Sequence, residues 1–393
     1  MQTVLRRLLL FGLLLALLLS VIGCGGGASD QPSPSPQPTP QPAPPPPSSG
    51  AVDLITETVA SGLTVPWEIV FAPDGRIIFT EQPGRLRVIE NGKLLAAPAL
   101  DFTGRVPGGE AGMLGLDIDR NFSSNGFLYV FYCYETSASP TGVRCRVARL
   151  VMTGNSVREE KVLLDFLGVG QGHHHNAGRV KIGPDNLLYV TTGDLTQRLR
   201  AQDLNDLAGK ILRMNLDGSA AAGNPFPDHP YIYAYGLRDP QGLAFDSSGQ
   251  LYGTDHGEIS HDEVNIIRAG GNYGWPVCEG RCNDPRFIDP IKLFFPETAA
   301  PSGGTFYSGG VIPQWNGSLL FATLGLPDNT FAHHIHRIKF NAPGGTEIVE
   351  EEVLYRDKFG RIRTVVQGPD GFVYFSTSSG GGVDKIIRIR PKP

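Results

Sequence analysis

A pattern of paired apolar runs recurs along the chain and constrains its fold more than any other feature. Each copy has an apolar run, a turn built on Pro-Asp-Gly or a similar sequence, and a second run that contains an aromatic residue. The six copies cover residues 69–80, 114–131, 180–191, 243–252, 309–322 and 366–375. They begin roughly 45 to 70 residues apart, and further strand-like sequence fills each interval. This spacing predicts an all-β fold, a six-bladed β-propeller of four-stranded antiparallel blades, ahead of a β-sandwich or two separate β domains.

The first 50 residues differ in character from the rest of the chain. Arg6 and Arg7 precede a short apolar run, which is typical of an export signal and too short for a membrane span. Gly23 before Cys24 resembles the cleavage box of bacterial lipoproteins, so Cys24 is predicted to be lipidated; a secretory signal with an incidental cysteine is the alternative. The stretch that follows is rich in Pro, Gly and Ser and cannot bury a core.

These observations predict a signal peptide over 1–23, a disordered linker over 24–50 and one propeller domain over 51–393. The predicted location is outside the cytoplasm, at the periplasmic or cell-surface side of a bacterial membrane, with the lipid as the only membrane attachment. The net charge of −5, without a stripe of Lys and Arg interleaved with aromatic residues, argues against a nucleic-acid partner.

Four cysteines remain after Cys24. Cys133 and Cys145 flank a loop between two strand-like runs and could face each other across a hairpin, while Cys278 and Cys282 close a short loop. An even number of cysteines in an exported protein predicts two disulfides, with free buried thiols as the alternative.

Three consecutive histidines, His173 to His175, precede the hairpin of the third copy. The unperturbed pKa of histidine lies near neutrality, so an imidazole at a strand entrance is a candidate general base. From the residues alone, a solvated loop or an adventitious metal site is the favoured explanation of the triplet.

Motifs in a fixed order across nearly the whole body resemble one known family. They lie at 175–179 (HNAGR), 201–204 (AQDL), 209–213 (GKILR), 235–242 (YGLRDPQG), 256–258 (HGE), 262–265 (DEVN), 271–276 (GNYGWP) and 361–363 (RIR). The chain is similar to the soluble quinoprotein sugar dehydrogenases, which include the aldose sugar dehydrogenases. Members are six-bladed propellers that contain calcium and depend on pyrroloquinoline quinone (PQQ).

The resemblance implies a role for specific side chains. His175 matches the family's general base, and neither His173 nor His174 does. Arg361 and Arg363 alternate on a strand and therefore share a face, which suits a ligand with several carboxylates such as PQQ; a solvated strand face with paired acids is the alternative. Further matches to cofactor or substrate positions are Glu110, Gln197, Arg238, Asp239 and Thr298.

The same resemblance implies two calcium sites, for which oxygen donors and backbone carbonyls in Gly-containing turns are suited. Gly257 and Glu258 match the backbone pair that holds the ion next to the quinone. Glu263 and Tyr273 match a second, structural site, the tyrosine through its carbonyl, and Asp262 lies between the two groups in sequence. An ordinary acidic turn is the alternative for Asp262 and Glu263.

Three positions depart from the family. Glu110 and Asp239 stand where members often have glutamine and asparagine, and both add negative charge beside the site of an anionic cofactor. The glucose dehydrogenase members place a lysine near the quinone where this chain has Thr323 to Leu326, with Gly325 at the matching position. His333, His334 and His336 follow, either as substitutes for that lysine or as surface residues.

The sequence therefore predicts an exported enzyme that oxidises aldose sugars at the anomeric carbon to lactones. Hydride would pass to PQQ and electrons to an external acceptor. Two alternatives remain open: a calcium-dependent sugar- or protein-binding propeller without activity, and a calcium propeller that hydrolyses lactones.

Overall fold

A computed structural model describes residues 51–137, 142–167, 173–326 and 333–393. The predicted signal peptide, the linker and Cys24 lie outside these ranges. Within them the secondary structure is almost entirely β, with one short α-helix, α1 (Phe122–Asn125). The helices in these ranges include none with the length and apolar character needed to cross a bilayer.

The strands form six sheets, which we number as blades from the N-terminus, with the inner strand of each blade given first. Blade 1 has β2 (Pro66–Phe71), β3 (Ile77–Glu81), β4 (Arg85–Glu90), β5 (Lys93–Leu94) and β6 (Leu100–Asp101). Blade 2 has β7 (Met113–Ile118), β8 (Phe127–Glu135), β9 (Val143–Thr153) and β10 (Ser156–Leu167). Blade 3 has β11 (Ala177–Ile182), β12 (Leu188–Thr192), β13 (Lys210–Met214) and β14 (Ile232–Tyr235).

The second half of the chain repeats this arrangement. Blade 4 has β15 (Pro240–Phe245), β16 (Leu251–Asp255), β17 (Asp262–Ile267) and β18 (Lys292–Phe294). Blade 5 has β19 (Pro301–Phe306), β20 (Ser318–Thr323), β21 (Ile335–Phe340) and β22 (Ile348–Leu354). Blade 6 has β23 (Ile362–Gln367), β24 (Val373–Thr377), β25 (Asp384–Pro391) and, outermost, the first strand of the domain, β1 (Leu54–Leu63).

The prediction of a six-bladed propeller is confirmed. Neighbouring strands in each blade pair antiparallel, and the inner strands of successive blades contact one another around a complete ring, with β23 returning to β2. Because β1 pairs with β25, the N-terminal strand closes the ring. Apolar residues such as Phe131, Val190 and Trp67 form the core between blades.

Five of the six sequence copies coincide with the two inner strands of a blade. The fifth is an exception, because residues 309–312 form a connection that leads into a 3₁₀ turn, Pro313–Trp315, and only the end of that copy is a strand, β20. The inner strand is instead the glycine-containing β19. A Cβ atom at Gly304 would meet the Leu320 carbonyl oxygen at 2.5 Å. Close packing therefore requires glycine where the sequence pattern expects an apolar side chain.

The two predicted disulfides are present. Cys133 and Cys145 are direct partners across β8 and β9 and form one bond. Cys278 and Cys282 form the other, within a loop that follows β17.

A buried ion pair lies among the inner strands, near the axis of the ring. The guanidinium of Arg179 on β11 pairs with Glu68 on β2, and it also donates from Nε to the Gln241 carbonyl on β15 at 2.9 Å. It lies over the Trp67 ring at 4.0 Å. These contacts join blades 1, 3 and 4 close to the candidate site.

Candidate active site

His175 lies just before β11 and is held by a buried carboxylate. Its Nδ1 lies 2.7 Å from Oδ1 of Asp194, which follows β12 and is fully buried. The other oxygen of Asp194 accepts a hydrogen bond from Trp275 Nε1 at 2.9 Å. Because an ionised carboxylate accepts hydrogen bonds, Asp194 favours the tautomer with the proton on Nδ1 and leaves Nε2 as the acceptor.

The environment of His175 sets its protonation. Burial favours the neutral imidazole, but the hydrogen bond with Asp194 and the charges of Asp239 and Asp194 outweigh it, and the pKa of His175 lies above its ordinary value. A raised pKa makes His175 a stronger proton acceptor when it is neutral. His174 lacks this support; it is half exposed, and its Nδ1 lies 3.4 Å from Glu110.

The backbone around His175 is strained. His173, His175 and Ala177 all have positive φ, and so do Leu195 and Thr196 directly after Asp194. Such conformations cost free energy for residues with side chains and persist where surrounding contacts enforce them. Here the enforcing contacts include the Thr196 amide donating to Asp194 Oδ1 at 2.8 Å and the Ala177 amide donating to Asp239 Oδ1 at 2.9 Å.

Glu110 connects the loop between blades 1 and 2 to the histidine segment. Its carboxylate accepts a hydrogen bond from the backbone amide of His175 at 2.8 Å, and its own amide donates to the His173 carbonyl at 3.2 Å. Glu110 is exposed, and its charge acts on both Arg361 and Arg363. Glu110 therefore brings the histidine and the arginine pair into one neighbourhood.

Arg361 and Arg363 are half-buried and close enough for each charge to affect the other. Arg361 donates to the Gly325 carbonyl at 2.8 Å, and Arg363 donates to Gln241 Oε1 at 3.2 Å. Burial lowers the pKa of Arg361, and burial with the charges of Arg361 and Arg179 lowers the pKa of Arg363 to about 9. The Nε of Arg363 is buried without a hydrogen-bond partner, so this pair suits an anion.

Asp239 is fully engaged by its neighbours. It accepts hydrogen bonds from the Ala177 amide and, at 2.9 Å, from Gln241 Nε2, while His256 Nδ1 lies 3.6 Å away. Burial alone would raise the pKa of Asp239, but the charges of His256 and His175 and the Gln241 hydrogen bond lower it below its usual range. The extra charge anticipated from sequence is thus balanced within the protein.

Three other predicted cofactor positions lie in different local surroundings. Arg238 lies over the Trp275 ring at 5.4 Å and has a buried Nε without a hydrogen-bond partner. Gln197 is exposed at the start of a second 3₁₀ turn, Arg198–Gln202. Thr298 donates to the Ile259 carbonyl at 2.6 Å and so fastens the loop that carries Glu258.

The residues proposed for the first calcium site form a tight loop. A Cβ atom at Gly257 would meet the Ser260 carbonyl oxygen at 1.8 Å, so the turn requires glycine. The side chain of Glu258 pairs with Arg198. Asp262 accepts backbone hydrogen bonds from Gly257, Ala299 and Ala300 at 2.8 to 3.0 Å, so its carboxylate organises the loop.

The second proposed calcium position lies beside a small cavity. The cavity, of about 10 Å³, is lined by acidic groups that include Asp255, Glu263 and Glu279. Burial and the proximity of Asp255 raise the pKa of Glu263 to about 8, and burial raises that of Asp255 to about 7. The Tyr273 hydroxyl is committed to the Ile266 carbonyl at 2.7 Å, which leaves only its backbone for a cation.

Buried acids of this kind suit a cation. Nevertheless, the described ranges hold no group of three or more His, Cys, Asp or Glu side chains arranged as a metal site.

The histidines that follow the missing lysine are buried, so the expectation that they could lie on the surface is wrong. His334 and His336 join through Nε2 and Nδ1 at 3.0 Å, and His336 Nε2 contacts Glu351 at 2.9 Å. His336 lies on β21, and His334 directly precedes that strand. At Gly325, the backbone carbonyl instead receives the Arg361 guanidinium.

Three residues with clear positions in the site were not identified from sequence: Asp194, Trp275 and Gln241. Asp194 ends the Thr-Thr-Gly-Asp sequence after β12, and a carboxylate at a strand end beside a candidate base was a usable signal. Trp275 and Gln241 belong to quoted motifs, but their partners are distant in sequence and could not be deduced.

The fold and the site together define a class of protein: propellers in which a carboxylate-supported histidine lies in one neighbourhood with a pair of arginines. The family profile described as Glucose / Sorbosone dehydrogenase matches residues 63–388, and the chain belongs to this family. This confirms the resemblance noted from the motifs.

Named relatives are consistent with this membership. The aldose sugar dehydrogenase YliI of Escherichia coli is 27% identical over 354 residues, covering 86% of this chain and 92% of that protein. A crystal structure described as a glucose dehydrogenase from Thermus thermophilus matches with a TM-score of 0.76 and 36% identity, covering 86% of this chain and all of that one (100%). The PQQ-bound aldose sugar dehydrogenase of Streptomyces coelicolor matches with a TM-score of 0.73 and 29% identity, over 87% and 99% of the two chains. The chain is therefore similar to sugar oxidoreductases along its propeller.

Proposed function

We propose that this protein oxidises aldose sugars at the anomeric carbon to lactones, with PQQ as cofactor and His175 as general base. The observation that carries the proposal is the His175–Asp194 pair in the same neighbourhood as Arg361 and Arg363. The PQQ-bound relative from Streptomyces coelicolor supports the choice of cofactor.

The chemistry required of the chain is proton transfer and positioning. Bound PQQ would supply the hydride acceptor for the hydrogen on the sugar C1. His175 Nε2 takes the proton of the anomeric hydroxyl, so that the C1–O bond becomes the carbonyl of the lactone. Asp194 holds the ring and stabilises the imidazolium that forms.

The cationic residues fit the cofactor's carboxylates. Arg361 and Arg363 each retain donors for an external anion, and Arg363 Nε and Arg238 Nε are buried without hydrogen-bond partners. A guanidinium binds a carboxylate through two parallel hydrogen bonds, so PQQ would satisfy these donors. The same ligand would offset the repulsion between Arg361 and Arg363.

Calcium is proposed at both family positions. Gly257 and Glu258 would offer backbone carbonyls from a turn that only glycine permits. At the second position a cation would relieve the repulsion between buried Asp255 and Glu263. We further propose export, lipid attachment at Cys24 and electron transfer to an external acceptor, all on the evidence of sequence.

Reconstitution of the purified protein tests the proposal. The protein with PQQ and Ca²⁺ should reduce a dye in the presence of aldoses and release lactone, and a chelator should reduce that activity. If no quinone absorbance is retained and no dye is reduced, the proposal fails. Calcium-dependent glycan binding without turnover would then favour a binding propeller, and lactone hydrolysis without quinone would favour a hydrolase.

Substitution of the base separates chemistry from binding. His175→Ala should lower turnover by about 10²-fold or more, because the proton acceptor is lost, while PQQ binding and the melting temperature stay close to wild type. Steady-state kinetics and quinone titration measure the two effects. His174→Ala, at the exposed neighbour, should retain activity; full turnover by His175→Ala would disprove the assignment.

Substitution of an arginine tests the anion site. Arg361→Ala should raise the PQQ concentration needed for half-saturation by about tenfold or more, because a charge-assisted contact worth about 1.5–3 kcal/mol is lost. Titration with PQQ measures this shift. Arg286→Ala, at an exposed residue paired with Asp284, is the control and should leave the titration unchanged. An unchanged titration for Arg361→Ala would remove this residue from the cofactor site.

A further inference from the structure

The ammonium of Lys210 occupies a cage of backbone oxygens beneath the active site. Lys210 begins β13 and is completely buried. Its Nζ donates to the carbonyls of Ala208 at 2.6 Å, Arg200 at 2.9 Å and Ala201 at 3.0 Å. The three donors of an ammonium are thereby matched with three acceptors.

Two of these carbonyls belong to the end of the 3₁₀ turn Arg198–Gln202. The Arg200 carbonyl also accepts from the Asp203 amide at 3.1 Å, and the Ala201 carbonyl accepts from the Gly236 amide at 3.0 Å. The ammonium therefore supplies the second hydrogen bond of each carbonyl oxygen.

Burial lowers the pKa of Lys210 to about 7, against the charges of Asp206 and Asp203, which favour the charged amine. The three carbonyl acceptors match the three donors of the charged form. The side chain of Arg200 donates from Nε to Asp206 at 2.7 Å, so Arg200 is held by its side chain as well as by its carbonyl.

This turn is connected to the catalytic pair in two ways. Only Gln197 separates it from Leu195 and Thr196, the two residues with positive φ after Asp194. In addition, Gln202 at its end donates to the Trp275 carbonyl at 2.7 Å, and Trp275 Nε1 holds Asp194. A change at the turn therefore reaches Asp194 through the chain and through Trp275.

We propose that Lys210 is a positioning residue that serves as a built-in cation, fixing segment 195–202 so that Trp275 holds Asp194 and Asp194 holds His175. The three-carbonyl cage would accept a small alkylammonium ion once the lysine side chain is removed. The catalytic consequence rests on the function proposed above, whereas the structural consequence is measurable without cofactor.

The experiment uses hydrogen–deuterium exchange of the cofactor-free protein, read over residues 195–208. Lys210→Ala should raise exchange in this segment by at least tenfold, and ethylammonium at tens of millimolar should reverse most of that increase. Lys210→Met should show the same increase without reversal, because its side chain fills the cage. Lys161→Ala, at an exposed lysine bound to one carbonyl of Asp217, should match wild type.

The reconstituted protein gives the second reading. Lys210→Ala should lower kcat with little change in the PQQ concentration for half-saturation, and ethylammonium should restore kcat. Unchanged exchange over residues 195–208 in Lys210→Ala would overturn the proposal. So would a loss of protection from exchange that is spread over all blades and that ethylammonium does not reverse. Because exchange needs no cofactor, an inactive wild type would refute the proposed function and leave this result intact.

Discussion

At the scale of the residue, the site depends on which imidazole nitrogen is available. One carboxylate oxygen of Asp194 binds Nδ1 of His175, and the other accepts a hydrogen bond from Trp275 Nε1. Trp275 therefore orients the carboxylate that orients the imidazole ring. Glu110 holds the backbone of the same histidine. The imidazole that we propose as the general base is therefore held at its ring by Asp194 and at its backbone by Glu110, and such contacts let a strained backbone persist.

Asp194→Asn tests this arrangement. The neutral amide removes the charge that helps raise the pKa of His175 and can impose the wrong tautomer, so kcat should fall by about 10²- to 10⁴-fold. Activity requires neutral His175 and rises as the pH passes its pKa, so the acidic limb of the residual activity should move to lower pH. The measurement is the pH dependence of kcat.

The matched control for Asp194→Asn lies at the other end of the same strand pair. Asp185 binds the Tyr189 hydroxyl at 2.9 Å in the turn between β11 and β12, remote from His175. Asp185→Asn should leave the pH profile in place. An unshifted acidic limb in Asp194→Asn would show that Asp194 does not control the base.

At the scale of the element, two buried histidines at the start of β21 join an acidic residue of β22 in a chain of polar contacts. His334 bonds His336, which bonds Glu351, and Glu351 also receives Lys292 from blade 4 at 2.6 Å. Burial and the neighbouring His336 lower the pKa of His334 to about 3, and burial lowers that of His336 despite Glu351. The folded blade thus requires neutral histidines.

Acid should therefore weaken this blade. The unfolded chain binds protons near pH 6.5 and the folded chain binds them only at lower pH, so the free energy of unfolding should fall by about 1.4 kcal/mol per pH unit below 6.5 for His334. His334→Asn should lose this dependence between pH 6.5 and 5. Denaturant unfolding at both pH values measures it, with His229→Asn on a half-exposed loop as control. Equal slopes for wild type and His334→Asn would contradict the expectation.

At the scale of the whole molecule, the ring is closed by the N-terminal strand. β1 pairs with β25 along its length, its Leu63 is fully buried, and the Val65 amide donates to Asp384 of β25 at 2.9 Å. The last blade is thus completed by residues that are more than 300 positions away in sequence from their partners on β25. A propeller stabilised in this way should tolerate loss of the linker and not loss of β1.

Truncation tests the closure. A chain that begins at Ala51 should unfold cooperatively like the full protein, whereas one that begins at Pro66 should melt about 10 °C or more lower or lose cooperativity, because blade 6 then exposes an apolar edge. Thermal unfolding followed by circular dichroism measures both. Equal melting temperatures for the two chains would mean that β1 does not stabilise the ring.

The sequence by itself determined the number of blades, five of the inner strand pairs, both disulfides and the family, because apolar alternation, turn residues and ordered motifs are local. Only the tertiary structure decided that Trp275 bonds Asp194, 81 positions away, and that Asp194 in turn bonds His175. It also decided that His256 lies beside Asp239 and that His334 and His336 are buried. The inner strand β19 also escaped prediction, because Gly304 is required by close contact with β20 and Gly303 by close contact with Thr364 and Arg179 of other blades. These features depend on how the ring closes, which brings together residues that local patterns leave unrelated.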